Sequence, residues 1–254
     1  MKNSIYMDMG NTRIKWWHCA TDTYGVLEYV NLEVGSVSLK QQSAQIDGVV
    51  IASVLGLEKT RMVVELIKRY VHPQVKLCVV GREAVGVTCA YDDPGRLGID
   101  RWLAVIAVWQ QYRKACQVVD LGTALTIDQI DSDGKHLGGF IVSGLELSVR
   151  GLLGGTKNIK PDSKLMAEAN LNPGVNTAEA VYHGALLAAV SIIETSYTNA
   201  TRLDKDTKLI LVGGDAALVG PHLRCDYRLV GDLVFQGMKL LEDADLLIDA
   251  ADAL

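Results

Sequence analysis

The apolar residues of this chain change their spacing several times, and each change marks a structural element. Residues 4–9 (SIYMDM) and 13–20 (RIKWWHCA) read as two strands joined at Gly10-Asn11-Thr12, and 25–32 (GVLEYVNL) reads as a third. The unbroken apolar run at 48–54 (GVVIASV) predicts a strand buried on both faces. Over 57–71, Leu57, Arg61, Val64 and Ile67 fall at helical spacing, and 75–80 (VKLCVV) is a further buried strand. Antiparallel strands followed by a βαβ unit imply a mixed sheet with helices against it.

Gly98 to Tyr112 predicts a helix with Trp102, Val105, Ile106 and Trp109 on one face. At residue 116 the opening pattern starts again. CQVVDLG, ALTIDQI and HLGGFIV read as strands, the last two separated by the turn Asp131-Ser132-Asp133-Gly134. A helix over 145–153 follows, then a polar segment to 174. A long helix spans 176–201 with Thr177 as its cap, a strand occupies 208–212 and a last amphipathic helix covers 233–248. Strand, D-x-G turn, strand thus occurs at 4–19 and again at 116–130, an internal repeat on the scale of a domain. It predicts two similar α/β lobes with a cleft between them, 1–113 and 114–254. The 233–248 helix is the element able to pack back on the first lobe.

Composition narrows the function. With 49% apolar and 22% charged residues in 254, the chain has the material for a large core. A net charge of −5 speaks against a nucleic-acid partner, which needs a basic face, but not against an anionic small molecule. Five cysteines with no C-x-x-C pair read as reduced, small apolar residues. The five histidines show no metal-ligand spacing. The N-terminal residues lack a leader's apolar stretch, and the apolar run at 102–109 is too short for a bilayer, so a cytoplasmic protein without a membrane partner is expected.

The candidate chemistry lies in three places. In Asp8-Met9-Gly10-Asn11-Thr12 and Asp120-Leu121-Gly122-Thr123-Ala124, glycine lets the backbone come close to a ligand. The following N–H groups and the Asn or Thr side chain can then face phosphate oxygens, and the Asp can hold a cation. Read alone, either turn is equally an ordinary hairpin. Lys15 can meet a phosphate as a point charge, or be an edge-strand lysine. The third place is Tyr91 with Gly98-Ile99-Asp100-Arg101. There Gly98 allows an unusual backbone conformation, Asp100 is suited to take a hydroxyl proton and Arg101 to bind an anionic group. The helix dipole also favours an Asp at that point.

DMGNTRIK at 8–15, GRLGIDRW at 95–102, DLGTALTID at 120–128 and GGFIVSG at 138–144, in this order, closely resemble the type III pantothenate kinases of the acetate-and-sugar-kinase/Hsp70/actin superfamily. The resemblance covers about residues 5–240. It implies two ribonuclease-H-like lobes, as in actin-like ATPases, and ATP-dependent phosphorylation of pantothenate, which commits it to coenzyme A synthesis. By position it makes Asp8, Met9, Gly10, Asn11, Thr12, Arg13, Ile14, Lys15 and Thr123 ATP contacts. Asp100 becomes the catalytic base, and Tyr91, Gly98, Ile99, Asp100 and Arg101 the pantothenate-binding stretch. It further implies Mg²⁺, a monovalent cation (K⁺ or NH₄⁺) on Asp120, and a homodimer in which Thr177 reaches the neighbouring subunit's substrate. Where the family usually has a proline after G-G-x-I-x, this chain has Ser143, so a less rigid turn is expected. Gly213-Gly214-Asp215 is either a nucleoside-side turn or an ordinary loop. A related kinase for another hydroxylated substrate, such as an amino sugar, and a regulatory protein without catalysis remain the alternatives.

Overall fold

The computed structural model describes residues 2–42, 45–154 and 163–254. Its internal contacts divide the chain into a unit of residues 1–110 with 233–254 and a second of 111–232. The first opens with β1 (Ser4–Met9), β2 (Ile14–His18) and β3 (Thr23–Leu27), each antiparallel to the one before. Helix α1 (Leu32–Gln42) leads to β4 (Gly48–Ser53), parallel to β1, and α2 (Leu57–Tyr70) leads to β5 (Val75–Leu77), parallel to β4. A small hairpin, β6 (Glu83–Ala84) and β7 (Val87–Thr88), precedes α3 (Ile99–Tyr112).

The second unit repeats this scheme. Strands β8 (Cys116–Leu121), β9 (Ala124–Ile130) and β10 (His136–Ser143) form the antiparallel set. Helices α4 (Leu145–Gly154), α5 (Ser163–Ala167) and α6 (Thr177–Leu203) carry the chain to β11 (Lys208–Val212), parallel to β8. A short α7 (Ala216–Val219) leads to β12 (Arg228–Leu229), parallel to β11. The chain then re-enters the first unit with α8 (Leu233–Asp243), β13 (Ile248–Asp249) and α9 (Ala250–Ala253). The sheets run β13-β5-β4-β1-β2-β3 and β10-β9-β8-β11-β12. Apart from β13, the two have one strand order and one set of strand senses, as two ribonuclease-H-like units require.

Alternation along β1 explains its two-sided burial. Ile5, Met7 and Met9 join Ile14, Trp16 and Leu27 in a core closed by Leu39, Val63, Val64 and Ile67. Each such fully buried side chain stabilises by about 1.5–3 kcal/mol relative to exposure. On the opposite face Tyr6 stacks on Trp17 with ring centroids 5.2 Å apart, and Phe235 of α8 lies 6.1 Å from Trp17. Helix α8 is pinned there by the buried Glu242, whose carboxylate accepts from Ser4 Oγ at 2.8 Å and Tyr6 Oη at 2.6 Å. Burial, reinforced by that carboxylate, pushes the Tyr6 phenol far above its usual range, so it stays a donor. A Cβ on Gly237 would stand 2.3 Å from the Leu103 carbonyl oxygen, so only glycine lets α8 lie against α3.

Five expectations need correction. The strand expected over 25–32 ends at Leu27, and α1 begins at Leu32 where no helix was expected. Its middle, VGSVS at 34–38, is poor in helix formers, and packing over the sheet carries it: a Cβ on Gly35 would come within 2.9 Å of Leu27 Cδ2. Helix α3 is buried from Arg101 to Trp109 on every side, not along one face. The cap of α6 is Asn176, whose Oδ1 accepts from the Glu179 N–H, while the Glu179 carboxylate accepts from the Val175 N–H; Thr177 is the first helical residue. Helix α8 stops at Asp243, five residues early.

Candidate active site

Strand β1 ends in a four-residue loop, Gly10 to Arg13, closed by the Gly10 N–H donating to the Arg13 carbonyl at 3.2 Å. Met9 and Ile14, paired at its base, are fully buried and fix it to the core, whereas Asn11, Thr12 and Arg13 are exposed. Among the described residues, the N–H groups of Asn11 and Thr12 make no hydrogen bond within the chain, which leaves them to an anion. Asp8 lies directly across the strand pair from Lys15, so the two side chains leave the same face of the sheet. From outside, the Tyr29 hydroxyl donates to the Gly10 carbonyl at 2.6 Å. Burial, and then the Asp8 carboxylate, push the Tyr29 phenol up to about 12, so this donor persists at any working pH.

The same unit assembles the second group at the start of α3. Asp100 Oδ1 accepts from the Arg101 N–H at 2.8 Å, and the Trp102 N–H donates to the Gly98 carbonyl at 3.0 Å. Gly98 does not take a positive φ, contrary to the expectation of an unusual backbone. Its role is space: a Cβ there would stand 2.6 Å from Asp100 Oδ1. Ile99 is buried beneath, and Arg101 is only 6% exposed. The Arg101 guanidinium donates from Nη1 to the Tyr91 hydroxyl at 3.1 Å and lies 6.0 Å from that ring's centre. Tyr91, Gly98, Ile99, Asp100 and Arg101 therefore form one cluster, a carboxylate beside a guanidinium whose aromatic partner orients it.

In the second unit the turn after β8 is one residue shorter, with the Gly122 N–H donating to the Ala124 carbonyl at 3.1 Å. Thr126, not a lysine, stands across from Asp120. Two glycines close on this turn. Gly213, at φ +99°, would place a Cβ 2.4 Å from the Leu121 oxygen and 2.5 Å from Asp120 Oδ1, and Gly144 would place one 2.2 Å from the Gly122 oxygen. The Gly144 N–H donates to the Thr123 carbonyl and the Asp215 N–H to that of Leu121, both at 3.0 Å. Gly213-Gly214-Asp215 thus abuts the second D-x-G turn. Burial, and then the Glu146 charge, raise the Asp215 carboxyl above its ordinary value. Ser143 Oγ lies 2.7 Å from Ser148 Oγ, a hydrogen bond that ties the end of β10 to α4. Thr177 is exposed and lines a groove of about 360 Å³ with Ser148 and Leu152 of α4 and Ala180, Gly184 and Ala188 of α6.

Similarity to known proteins now bears on this geometry. A family model described as Type III pantothenate kinase matches residues 4–199. A Type III pantothenate kinase of Acinetobacter baumannii is 37% identical over 248 residues, which is 93% of this chain and 96% of that protein. The chain belongs to the type III pantothenate kinase family. Another relative of that name, from Pseudomonas aeruginosa, is 35% identical over 93% of this chain and 97% of its own length. Among solved structures, a Campylobacter jejuni protein described, as a conjecture, as a Baf family transcriptional activator has a TM-score of 0.60 at 20% identity, covering 95% of this chain and 99% of that one. An archaeal actin homologue has a TM-score of 0.50 at 14% identity, covering 96% and 98%. A ROK family protein of Streptococcus pneumoniae has 0.52 at 13%, covering 96% and 99%. At these identities the likeness is one of fold, and the fold is that of actin-like ATPases.

For a type III pantothenate kinase, the expected residues fall into local groups. Asp8 to Lys15 form one turn, Tyr91 with Gly98 to Arg101 one cluster, and Asp120 with Thr123 a second turn; Thr177 stands apart from that turn in sequence, at the head of α6. Tyr29 went unseen in the sequence because no motif surrounds it; its role comes from a bond to a residue 19 positions earlier. Among the described residues, no three His, Cys, Asp or Glu side chains gather as a metal cage, and no helix is long and apolar enough to cross a membrane.

Proposed function

We propose that this kinase transfers the γ-phosphoryl group of ATP directly to the primary hydroxyl of pantothenate, giving 4'-phosphopantothenate in the first step of coenzyme A synthesis. The observation that carries the reading is the pairing at the head of α3: Asp100, held over Gly98, next to the buried Arg101 that Tyr91 orients. Arg101 suits the substrate's carboxylate, because a guanidinium binds one bidentately. Asp100 then acts as general base on the hydroxyl. The exposed N–H groups of Asn11 and Thr12, with Lys15, stabilise charge on the phosphates, and Thr123 adds a further ATP contact.

Asp8 is an oxygen donor of the kind Mg²⁺ prefers, and a single carboxylate suffices for an ion that also binds phosphate oxygens. When bound, Mg²⁺ neutralises the phosphate charge. The half-buried Asp120, whose Oδ1 shares the space beside Gly213 with the Leu121 carbonyl, offers the kind of oxygen ligand that suits a monovalent cation, K⁺ or NH₄⁺. Thr177, exposed at the head of α6, is assigned to the neighbouring subunit's pantothenate in a homodimer. The enzyme works in the cytoplasm, without nucleic acid or membrane.

The test is release of ADP by the purified protein with ATP, Mg²⁺, K⁺ and pantothenate. Turnover should require pantothenate, and Asp100→Asn should lower kcat by about 10²–10⁴ with ATP binding unchanged. A wild-type protein inert toward pantothenate, or a fully active Asp100→Asn, would overturn the proposal.

A further inference from the structure

Arg82 belongs to none of the motifs, yet its side chain is bonded to the backbone beside the substrate cluster. It precedes β6, and its carbonyl accepts from the Cys89 N–H at 2.9 Å, which fastens its backbone across the hairpin. Although the residue is exposed, its guanidinium does not simply extend into solvent. Nη1 donates to the Tyr91 carbonyl at 2.7 Å and Nη2 to the Asp92 carbonyl at 2.5 Å. Two charge-assisted bonds to consecutive peptide oxygens restrain both peptide planes, and a planar fork presents both donors in a fixed geometry. The next residue continues the restraint: Asp93 Oδ1 accepts from the Gly95 N–H at 3.1 Å and so shapes the turn that leads to Gly98.

Fixing the Tyr91 backbone fixes the origin of its side chain, and the Tyr91 hydroxyl is what Arg101 Nη1 meets. We infer that Arg82 is a positioning residue: through Tyr91 it holds the buried Arg101 in the orientation that receives the substrate's anionic end, without touching substrate itself. This rests on the pantothenate reading above. A lysine at 82 has three donors but no rigid fork to fix their directions, and would restore only part of the effect.

Two variants, Arg82→Met and Arg82→Lys, test it by steady-state kinetics and by amide hydrogen exchange over residues 88–101. Arg82→Met keeps the apolar stem and should raise the KM for pantothenate about tenfold, with the KM for ATP within about twofold of wild type. Arg82→Lys should fall between the two. Exchange in Arg82→Met should quicken over 91–97 and stay unchanged in β1 and β4. An unchanged pantothenate KM overturns the inference, as do equal rises in both KM values with a lowered Tm, the mark of a general structural defect. Should the wild-type protein not use pantothenate at all, the functional reading fails separately. The exchange data then decide: local quickening sustains the positioning role, and an unchanged profile removes it.

Discussion

Strands β1 and β8 have the same length, the same kinds of neighbour and an aspartate next to last, but what faces the two aspartates differs. Across from Asp8 stands Lys15, and across from Asp120 stands Thr126. The first turn has four residues and opens to solvent, while the second has three and is closed in by Gly144 and Gly213. Three positions farther from each turn, His18 of β2 corresponds to Gln129 of β9. The backbone frame has been kept while its electrostatics diverged. A carboxylate across from a lysine and open N–H groups suits polyphosphate; one near a carbonyl oxygen and no lysine suits a bare cation.

The largest expected effect tests the cross-strand partners. Lys15→Met should lower kcat about a hundredfold, the scale of one lost donor to a developing charge, whereas Thr126→Val should stay within about twofold. Equal losses would mean that the two turns share one task. Next comes the cation. Wild-type activity should rise on replacing Na⁺ by K⁺, and Asp120→Asn should abolish that response with a loss of about tenfold at saturating K⁺; full activity in Na⁺ alone would remove the proposed role. Tyr29→Phe, which frees the Gly10 carbonyl, should raise the KM for ATP about threefold and leave that for pantothenate alone. An opposite split would place Tyr29 with the other substrate.

The smallest effect concerns pH. Burial holds the His18 imidazole below its ordinary value of 6.5, and its ring nitrogens lie 2.7 Å from Asn3 Oδ1 and 3.0 Å from Thr21 Oγ1. The unfolded chain takes up a proton there near pH 6.5 and the folded chain only at lower pH. Its contribution is therefore intact above 6.5 and is lost as pH falls through that value. Tm followed from pH 7.5 down to 5.5 should drop more in wild type than in His18→Gln. Parallel curves would show that His18 titrates alike in both states.

Much of this was legible in the sequence because the decisive signals are local. Alternation and unbroken apolar runs gave the two sheets, and the repeated D-x-G turns lie at strand ends, where period and turn chemistry agree. Asp100 and Arg101 were visible as neighbours at a helix start. What escaped depends on distant partners. Helix α1 owes its form to packing of Gly35 on Leu27, against a central run of Val, Gly and Ser at 34–38. Arg82 and Tyr29 act on backbone carbonyls, which carry no side-chain identity and hence no pattern to read. The Asn176 cap was missed by one residue because Thr177 is equally capable of the task; only the reciprocal bonds with Glu179 separate them.

The hydrogen bond between Tyr6 and Glu242 spans 236 positions, and this has a consequence for biosynthesis. At about 5–20 residues per second, the ribosome takes roughly ten to fifty seconds to deliver Glu242 after Tyr6 has emerged. The second unit is uninterrupted, so it can finish folding within that interval. The first cannot: the aromatic face of Tyr6, Trp17 and Tyr24 has no Phe235 to stack on until α8 arrives. The unit synthesised first is therefore completed last, and its aromatic face stays uncovered on the nascent chain until then.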